Sequence, residues 1–290
     1  PGPLLTDSGG YQVFSLTGLR AVDEDGVTFR SHLDGAELRF TPESVVADQR
    51  RLGVDVAMML DECPPWPVER HEAEAALDRT LEWARRARPA WRGDGGFFGI
   101  VQGSTYRDLR QRAVRELTEL DFDGYAIGGV SVGEPMEERR QVVEWTAPEL
   151  PAERVRYLMG VGTPADLIHA VRHGVDLFDC VLPSRNARHG QLYTRNGLLR
   201  IKNARYRTDS RPIDEQCDCP ACRRVSRAFL HHLIRTGELT GQVLTTLHNL
   251  RFYLDFVGDL RKATAAGELA DFARRAGESM QAGDPETAPS

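Results

Sequence analysis

The chain has 290 residues, 41% of them hydrophobic and 28% charged, with a formal net charge of −6. That is too long for a peptide module, rich enough in apolar side chains for a sizeable core, and too acidic overall for a general nucleic-acid coat. No apolar run reaches the roughly 18 residues a membrane-spanning helix needs, and Pro1-Gly2-Pro3 opens no secretory leader, so neither membrane nor export is expected.

In chain order, weak strand candidates lie near Gln12–Ser15 and Val27–Arg30. Thr41-Pro42-Glu43 is a helix start leading to a stop at Gly53. Five stretches then read as strands buried on both faces: Val54–Leu60, Phe97–Gln102, Tyr125–Val130, Tyr157–Val161 and Asp176–Val181. Amphipathic helix patterns separate them at Val68–Arg88, Thr105–Leu120, Glu137–Trp145 and Pro164–His173. Repeated β-α alternation implies a parallel sheet with right-handed crossovers. Polar residues fall at the strand ends: Asp61, Gln102, Gly128-Gly129, Gly160 and Asp179. A closed barrel gathers strand ends at one mouth, so the expected fold is α/β, a (β/α)8 TIM-type barrel. Only five clear units can be counted, so the barrel is expected to be incomplete at its N-terminal side.

After Pro183 the texture changes. Gln191–Arg195 and Leu198–Ile201 predict a hairpin turning at Asn196-Gly197, and two or three helices follow from Val225 to about Arg275. The expected division is a partial catalytic barrel over 1–183, a zinc-binding subdomain with C-terminal helices over 184–276, and a disordered tail over 277–290. Between Leu182 and Arg235 there are 12 Lys+Arg and 4 Asp+Glu, a local +8 in an acidic protein. Such a run is either a solvated face or a phosphate-binding one.

Five cysteines are odd in number, and three crowd into Cys217-x-Cys219-x2-Cys222. A reducing, cytoplasmic compartment and one metal site suit that pattern better than disulfides. Tetrahedral zinc needs a fourth ligand, for which His231, His232 and His248 are candidates. His248, inside a helix pattern, is preferred; with four protein ligands the zinc would be structural.

Three carboxylates then stand out: Asp7 in TDSGGYQ, Asp61 in MMLDECPP and Asp179 in FDCVLPSR. Each has a plainer reading, as a turn residue, a cap or an ion-pair partner. Together at one barrel mouth they suggest either a metal site or a nucleophile with a proton shuttle, the ingredients of glycosidic-bond chemistry. Beside a basic segment, the sugar would belong to a nucleic acid.

Taken together, DSGGYQVFS, MMLDECPP, GIVQG, YAIGGVSVGEP, YLMGVGTP, FDCVLPSRNARHG and C-x-C-x2-C…H resemble the bacterial tRNA-guanine transglycosylases over Leu5 to about Lys262. The resemblance implies exchange of the wobble guanine of G-U-N anticodons for a 7-deazaguanine. It implies Asp179 as nucleophile toward the ribose and Asp7 as general acid/base. The base would be held by Ser8, Gly9, Gly10, Tyr11, Asp61, Gln102 and Gly129, with Tyr11 stacking on it. RNA contacts are implied for Gly160, Val161, Gly162, Thr163, Pro164, Ala165 and Asp166, and for Ser184, Arg185, Asn186, Ala187 and Arg188. The metal would be one Zn2+ on Cys217, Cys219, Cys222 and His248. Val132 and Cys63 are bulky, which favours the small aminomethyl precursor over queuine. The family also implies a homodimer, with Phe229 and His232 at matching interface positions and Val225 in place of an aromatic residue. In the family, a segment ahead of the DSGG motif supplies the first barrel strands; it is absent from this sequence. Rival readings are a barrel glycosidase or hydrolase using the same acids, and a catalytically silent tRNA-binding fragment or accessory subunit.

Overall fold

The computed structural model describes residues 2–10, 20–31 and 33–282. They form two compact units: residues 1–161 with 169–179, and residues 162–168 with 180–290.

The first unit begins with β1 (Leu5–Thr6), β2 (Arg20–Asp23), β3 (Gly26–Arg30), β4 (Glu37–Phe40) and α1 (Pro42–Leu52). There follow β5 (Val56–Met58), α2 (Arg70–Ala90), β6 (Gly96–Val101), α3 (Arg107–Thr118), β7 (Gly124–Ile127), α4 (Met136–Thr146) and β8 (Val155–Leu158). Next come α5 (Pro164–Arg172), whose last turn belongs to this unit, and β9 (Leu177–Phe178). The sheet order β1-β5-β6-β7-β8-β9 is parallel throughout, in agreement with an incomplete (β/α) barrel.

Local chemistry accounts for these elements. α1 opens with a capping box in which Thr41 and Ser44 satisfy each other's backbone N–H groups. It closes at Gly53, whose left-handed φ of 69° suits glycine alone at low cost. Met58, Leu77, Leu81, Phe97, Ile100, Tyr125, Ile127 and Leu158 are buried between sheet and helices. Each such side chain removed from water contributes about 1.5–3 kcal/mol.

Two differences from the sequence reading bear on the site. The strand at Val27–Arg30 forms, but in a separate antiparallel sheet, β2-β3-β4, and not in the barrel. Its sequence, GVTFR, alternates instead of running continuously apolar, as a one-sided sheet requires. The last strand stops at Phe178, and a short helix, α6 (Leu182–Arg188), occupies the stretch across Pro183. Proline at an early helical position is compatible with that start. The candidate strand at Gln12–Ser15 lies outside the described residues.

The second unit holds α6 and the hairpin β10 (Gln191–Thr194) and β11 (Gly197–Arg200), then α7 (Pro220–Arg224), α8 (Arg227–Thr236), α9 (Leu239–Ala265) and α10 (Leu269–Ala282). The register pairs Thr194 with Gly197, so the turn residues are Arg195-Asn196, one position earlier than the Asn-Gly signal suggested. Its core joins Leu192, Leu199, Ile201, Tyr206, Ile213 and Leu230 to Cys219. Residues 277–282, assigned above to a tail, are the last turns of α10. Among the described residues no helix is long and apolar enough to cross a membrane.

Candidate functional site

Asp61 lies three residues beyond β5 and is buried. The DSGG loop after β1 closes against it. A Cβ on Gly10 would stand 3.0 Å from the Asp61 carbonyl oxygen and 3.2 Å from its Oδ1, so only glycine lets the loop approach without displacement. Within the loop, the Ser8 N–H donates to Asp7 Oδ1 at 2.8 Å and the Gly10 N–H to Ser8 Oγ at 3.2 Å.

Gln102, just past β6, donates from Nε2 to Asp61 Oδ2 at 2.6 Å. Its Oε1 is buried with no hydrogen-bond partner among the described residues. Gly129, past β7 with φ 62°, presses its backbone there: a Cβ would fall 2.2 Å from Gln102 Oε1. Burial, followed by the charge of Asp7, pushes the Asp61 carboxyl up to about 7. Burial likewise pushes the neighbouring Cys63 thiol up to about 12, so it is inert at neutral pH.

Asp179 is exposed, at the end of β9. One of its oxygens, Oδ1, accepts two hydrogen bonds of 2.8 Å, from the Tyr157 hydroxyl and from the Gly160 N–H. Burial raises the Tyr157 phenol well above its usual range, and the charges of Asp179 and Asp7 raise it further. The proton therefore stays on Tyr157 and the bond is held in one direction. The sheet thus places Asp7, Asp61 and Asp179 at its C-terminal edge, as the strand-end reading expected.

Arg110 was missed by the sequence reading. Fully buried on α3, it donates to the carbonyls of Ser104 (2.7 Å), Val101 (2.9 Å), Gly128 (2.7 Å) and Gly129 (3.1 Å). Burial lowers its pKa to about 10, so it remains charged at neutral pH. One guanidinium therefore ties the loop carrying Gln102 to the loop carrying Gly129. The signal was present: Arg110 falls on the same helical stripe as Ala113, Val114 and Leu117, where a surface arginine does not belong. Tyr157, read only as part of a strand, was likewise missed as a partner of Asp179.

Tyr11 lies outside the described residues. Gly160 and Val161 belong to the first unit, and Gly162, Thr163, Pro164, Ala165 and Asp166 to the second. Val161 and Asp166 are buried, and the Asp166 N–H donates to Thr163 Oγ1 at 3.1 Å at the start of α5. On α6, Arg185 and Arg188 are exposed and Ser184 is half-buried, whereas Asn186 donates to the Tyr193 hydroxyl at 2.7 Å and Ala187 is buried.

In the second unit, Cys217, Cys219, Cys222 and His248 present one ligand atom each within 4.8 Å of one another. Cys219 caps α7 by accepting the Cys222 N–H on its sulfur. His248 Nδ1 faces the sulfurs of Cys222 at 3.3 Å and Cys219 at 3.6 Å. Its Nε2 donates to the Tyr193 carbonyl at 2.7 Å, which fixes the ring with Nδ1 toward the sulfurs. Three soft thiolates and an oriented imidazole fit one tetrahedral zinc and leave no open position, so the metal is structural. His231, by contrast, turns Nδ1 to the Ile201 carbonyl at 2.8 Å and lies outside this cluster.

A family model described as queuine tRNA-ribosyltransferase matches residues 1–282. Among similar curated proteins is the queuine tRNA-ribosyltransferase of Nitrosomonas eutropha, 52% identical over 275 residues, covering 94% of this chain and 76% of that protein. The protein of the same name from Thioalkalivibrio sulfidiphilus is 54% identical over 269 residues, 92% of this chain and 72% of its own. That of Desulforudis audaxviator is 54% identical over 266 residues, with 91% and 72% covered.

Proposed function

Since the chain belongs to the queuine tRNA-ribosyltransferase family, we propose that it replaces the wobble guanine of G-U-N tRNAs by 7-aminomethyl-7-deazaguanine through an aspartyl-ribosyl ester. The observation that carries this reading is the hold on Asp179. Tyr157 and Gly160 occupy Oδ1, which leaves Oδ2 to approach the anomeric carbon along a fixed line.

In the forward half, Asp179 Oδ2 bonds to C1′ as the C1′–N9 bond breaks, and the electron pair leaves on guanine. Asp7 supplies the proton that makes guanine a tolerable leaving group. Asp61, ionised, accepts the donors of the guanine amidine edge. One Gln102 amide hydrogen is committed to Asp61, and the other can meet the purine carbonyl together with the Gly129 N–H. In the return half, Asp7 takes the ring N–H proton of the deazaguanine, whose nitrogen attacks C1′ and frees Asp179. Two inversions retain the sugar's configuration. One glycosidic bond replaces another of similar energy, so the exchange needs no energy input.

The target base must leave the anticodon stack, at a cost of a few kcal/mol that is smallest in a single-stranded loop. Arg185 and Arg188, exposed in the basic segment, suit phosphates and base edges there. Phe229, 47% exposed on α8, suits the interface of a homodimer. The thiolate zinc site suits a reducing cytoplasm.

Labelled guanine and a G-U-N tRNA test the reading. Uptake by the wild type, with a denaturant-resistant protein–RNA conjugate on quenching, is the expected result, and Asp179→Asn abolishes both. Uptake undiminished in Asp179→Asn overturns the nucleophile, and tRNA binding without uptake in the wild type would establish a silent binding protein instead.

A further inference from the structure

His169, in the last turn of α5, and His173, the residue just after it, lie four residues apart, and both face Glu144 on α4. This cluster is far in sequence from the Cys3His ligands and plays no part in the chemistry above. Its three ligand atoms lie within 4.8 Å of one another. The imidazole rings stand 4.6 Å apart between centroids, and His169 Nε2 is 3.6 Å from Glu144 Oε1.

The rings are already aimed. His173 Nδ1 is bonded to the His169 carbonyl at 2.8 Å, which leaves its Nε2 as the ligand atom. A backbone carbonyl holding the far nitrogen is the usual outer support of a metal-bound histidine. His169 Nε2 lies beside Glu144 and donates to the Arg140 carbonyl at 3.3 Å, a bond it exchanges for the ion on binding. His169 is 19% exposed and Glu144 45%, so the cluster is open to an ion from solvent.

We propose that Glu144, His169 and His173 form a second metal site, for a divalent ion of the zinc, nickel or copper class. Two imidazoles and a carboxylate are the donor set those ions accept, and i, i+4 histidines on a helix chelate them from one side. Ligands around a zinc at about 2.0–2.1 Å stand roughly 3.4 Å apart, so small side-chain rotations close the cluster. Water completes the fourth position, which makes this ion exchangeable, unlike the structural one held by three thiolates and an imidazole. The bound ion ties α4 to the last turn of α5, and these helices follow β7 and β8, which carry Gly129 and Gly160.

The test uses full-length protein already loaded with its structural zinc, titrated with ZnCl2 in chelator-free buffer at neutral pH and followed by calorimetry and metal analysis. The wild type is expected to take a second equivalent and to melt at a higher temperature with it. His173→Gln and Glu144→Gln are each expected to weaken that second event at least about tenfold while keeping the first zinc and the wild-type circular dichroism. His169→Gln serves as a third arm; the other two variants decide the matter if it folds poorly. A wild type that stays at one zinc per chain, or a second zinc bound equally by wild type and His173→Gln, overturns the proposal and reduces the cluster to a histidine–glutamate ion pair. Activity is not a readout, so the result is independent of the transglycosylase reading.

Discussion

Replacing Asp61 by Asn should stabilise the empty protein and disable it. Asp61 has its carboxyl at about 7 against an ordinary 3.8, chiefly because burial penalises its charge. The native state therefore binds more protons than the unfolded chain between those two values, and wild-type stability falls as pH rises through that window. At 1.36 kcal/mol per pH unit, the full cost is about 4 kcal/mol above pH 7 and near zero at pH 4. Asn cannot ionise, so the variant escapes that cost. Its carbonyl can still accept from Gln102 Nε2, and its amide can donate to the orphaned Gln102 Oε1. The expected outcome is a stability gain over wild type that grows from pH 4.5 to pH 7 and then levels off. Urea denaturation at pH 4.5, 6 and 8 measures it. Guanine exchange should meanwhile fall at least about a hundredfold, because an amide N–H then faces the donors of the base and leaves groups unpaired at roughly 1–3 kcal/mol each. A variant no more stable than wild type at pH 8, or one that still exchanges guanine normally, refutes the argument.

Two further outcomes follow from buried groups. Arg110→Met strands the carbonyls of Ser104, Gly128 and Gly129, while that of Val101 keeps the Gly128 N–H at 3.1 Å; the cost is about 1–3 kcal/mol for each stranded one that water cannot reach. Urea denaturation should show a loss of at least about 3 kcal/mol, with Arg110→Lys intermediate because an ammonium reaches fewer of the four; a loss below 1 kcal/mol, inside the range of ordinary surface changes, would mean the loops are held by something else. Zinc removal, or Cys219→Ser, should unfold the core that joins Cys219 to Leu192, Tyr206 and Leu230 while the parallel sheet of the first unit keeps its helical and strand signal. Unchanged proteolytic resistance of residues 180–282 after complete metal removal would count against a structural zinc.

The sequence revealed most where one residue type has one use. Short apolar runs became β6, β7 and β8 because strands covered on both faces have no polar alternation to confuse them. The CxCxxC spacing indicated a metal site because three thiolates in six residues have little other use in a reducing cell. What stayed hidden was relational. Nothing in the string GSTYRDLRQR says that the second arginine, not the first or third, ends inside the fold, except its phase on α3. The α6 helix was obscured because Pro183 reads equally as a break or as a helix start. Of the antiparallel β2-β3-β4 sheet only β3 was legible, as a weak strand candidate, because a strand's partners are a tertiary fact.

The three acids explain why these hidden groups matter. Ionised carboxylates brought to one sheet edge repel one another, and the fold answers each differently. Asp179 stays in solvent with Oδ1 held by two donors, the Tyr157 hydroxyl and the Gly160 N–H. Asp61 is buried and, near neutral pH, is only partly ionised; in the proposed reaction the N–H donors of a purine offset the cost of its charge. The charge of Asp7 acts on both Asp61 and the Tyr157 phenol, and its loop approaches Asp61 closely at Gly10. A base that lacks the amidine donors leaves Asp61 protonated, and the pocket then holds a neutral acid where it needs an anion. With Asp61 holding the base as proposed, selection of guanine-type bases over adenine follows from the burial of one carboxylate as much as from the shape of the pocket. That discrimination should be steepest above pH 7, where the unsatisfied charge costs most.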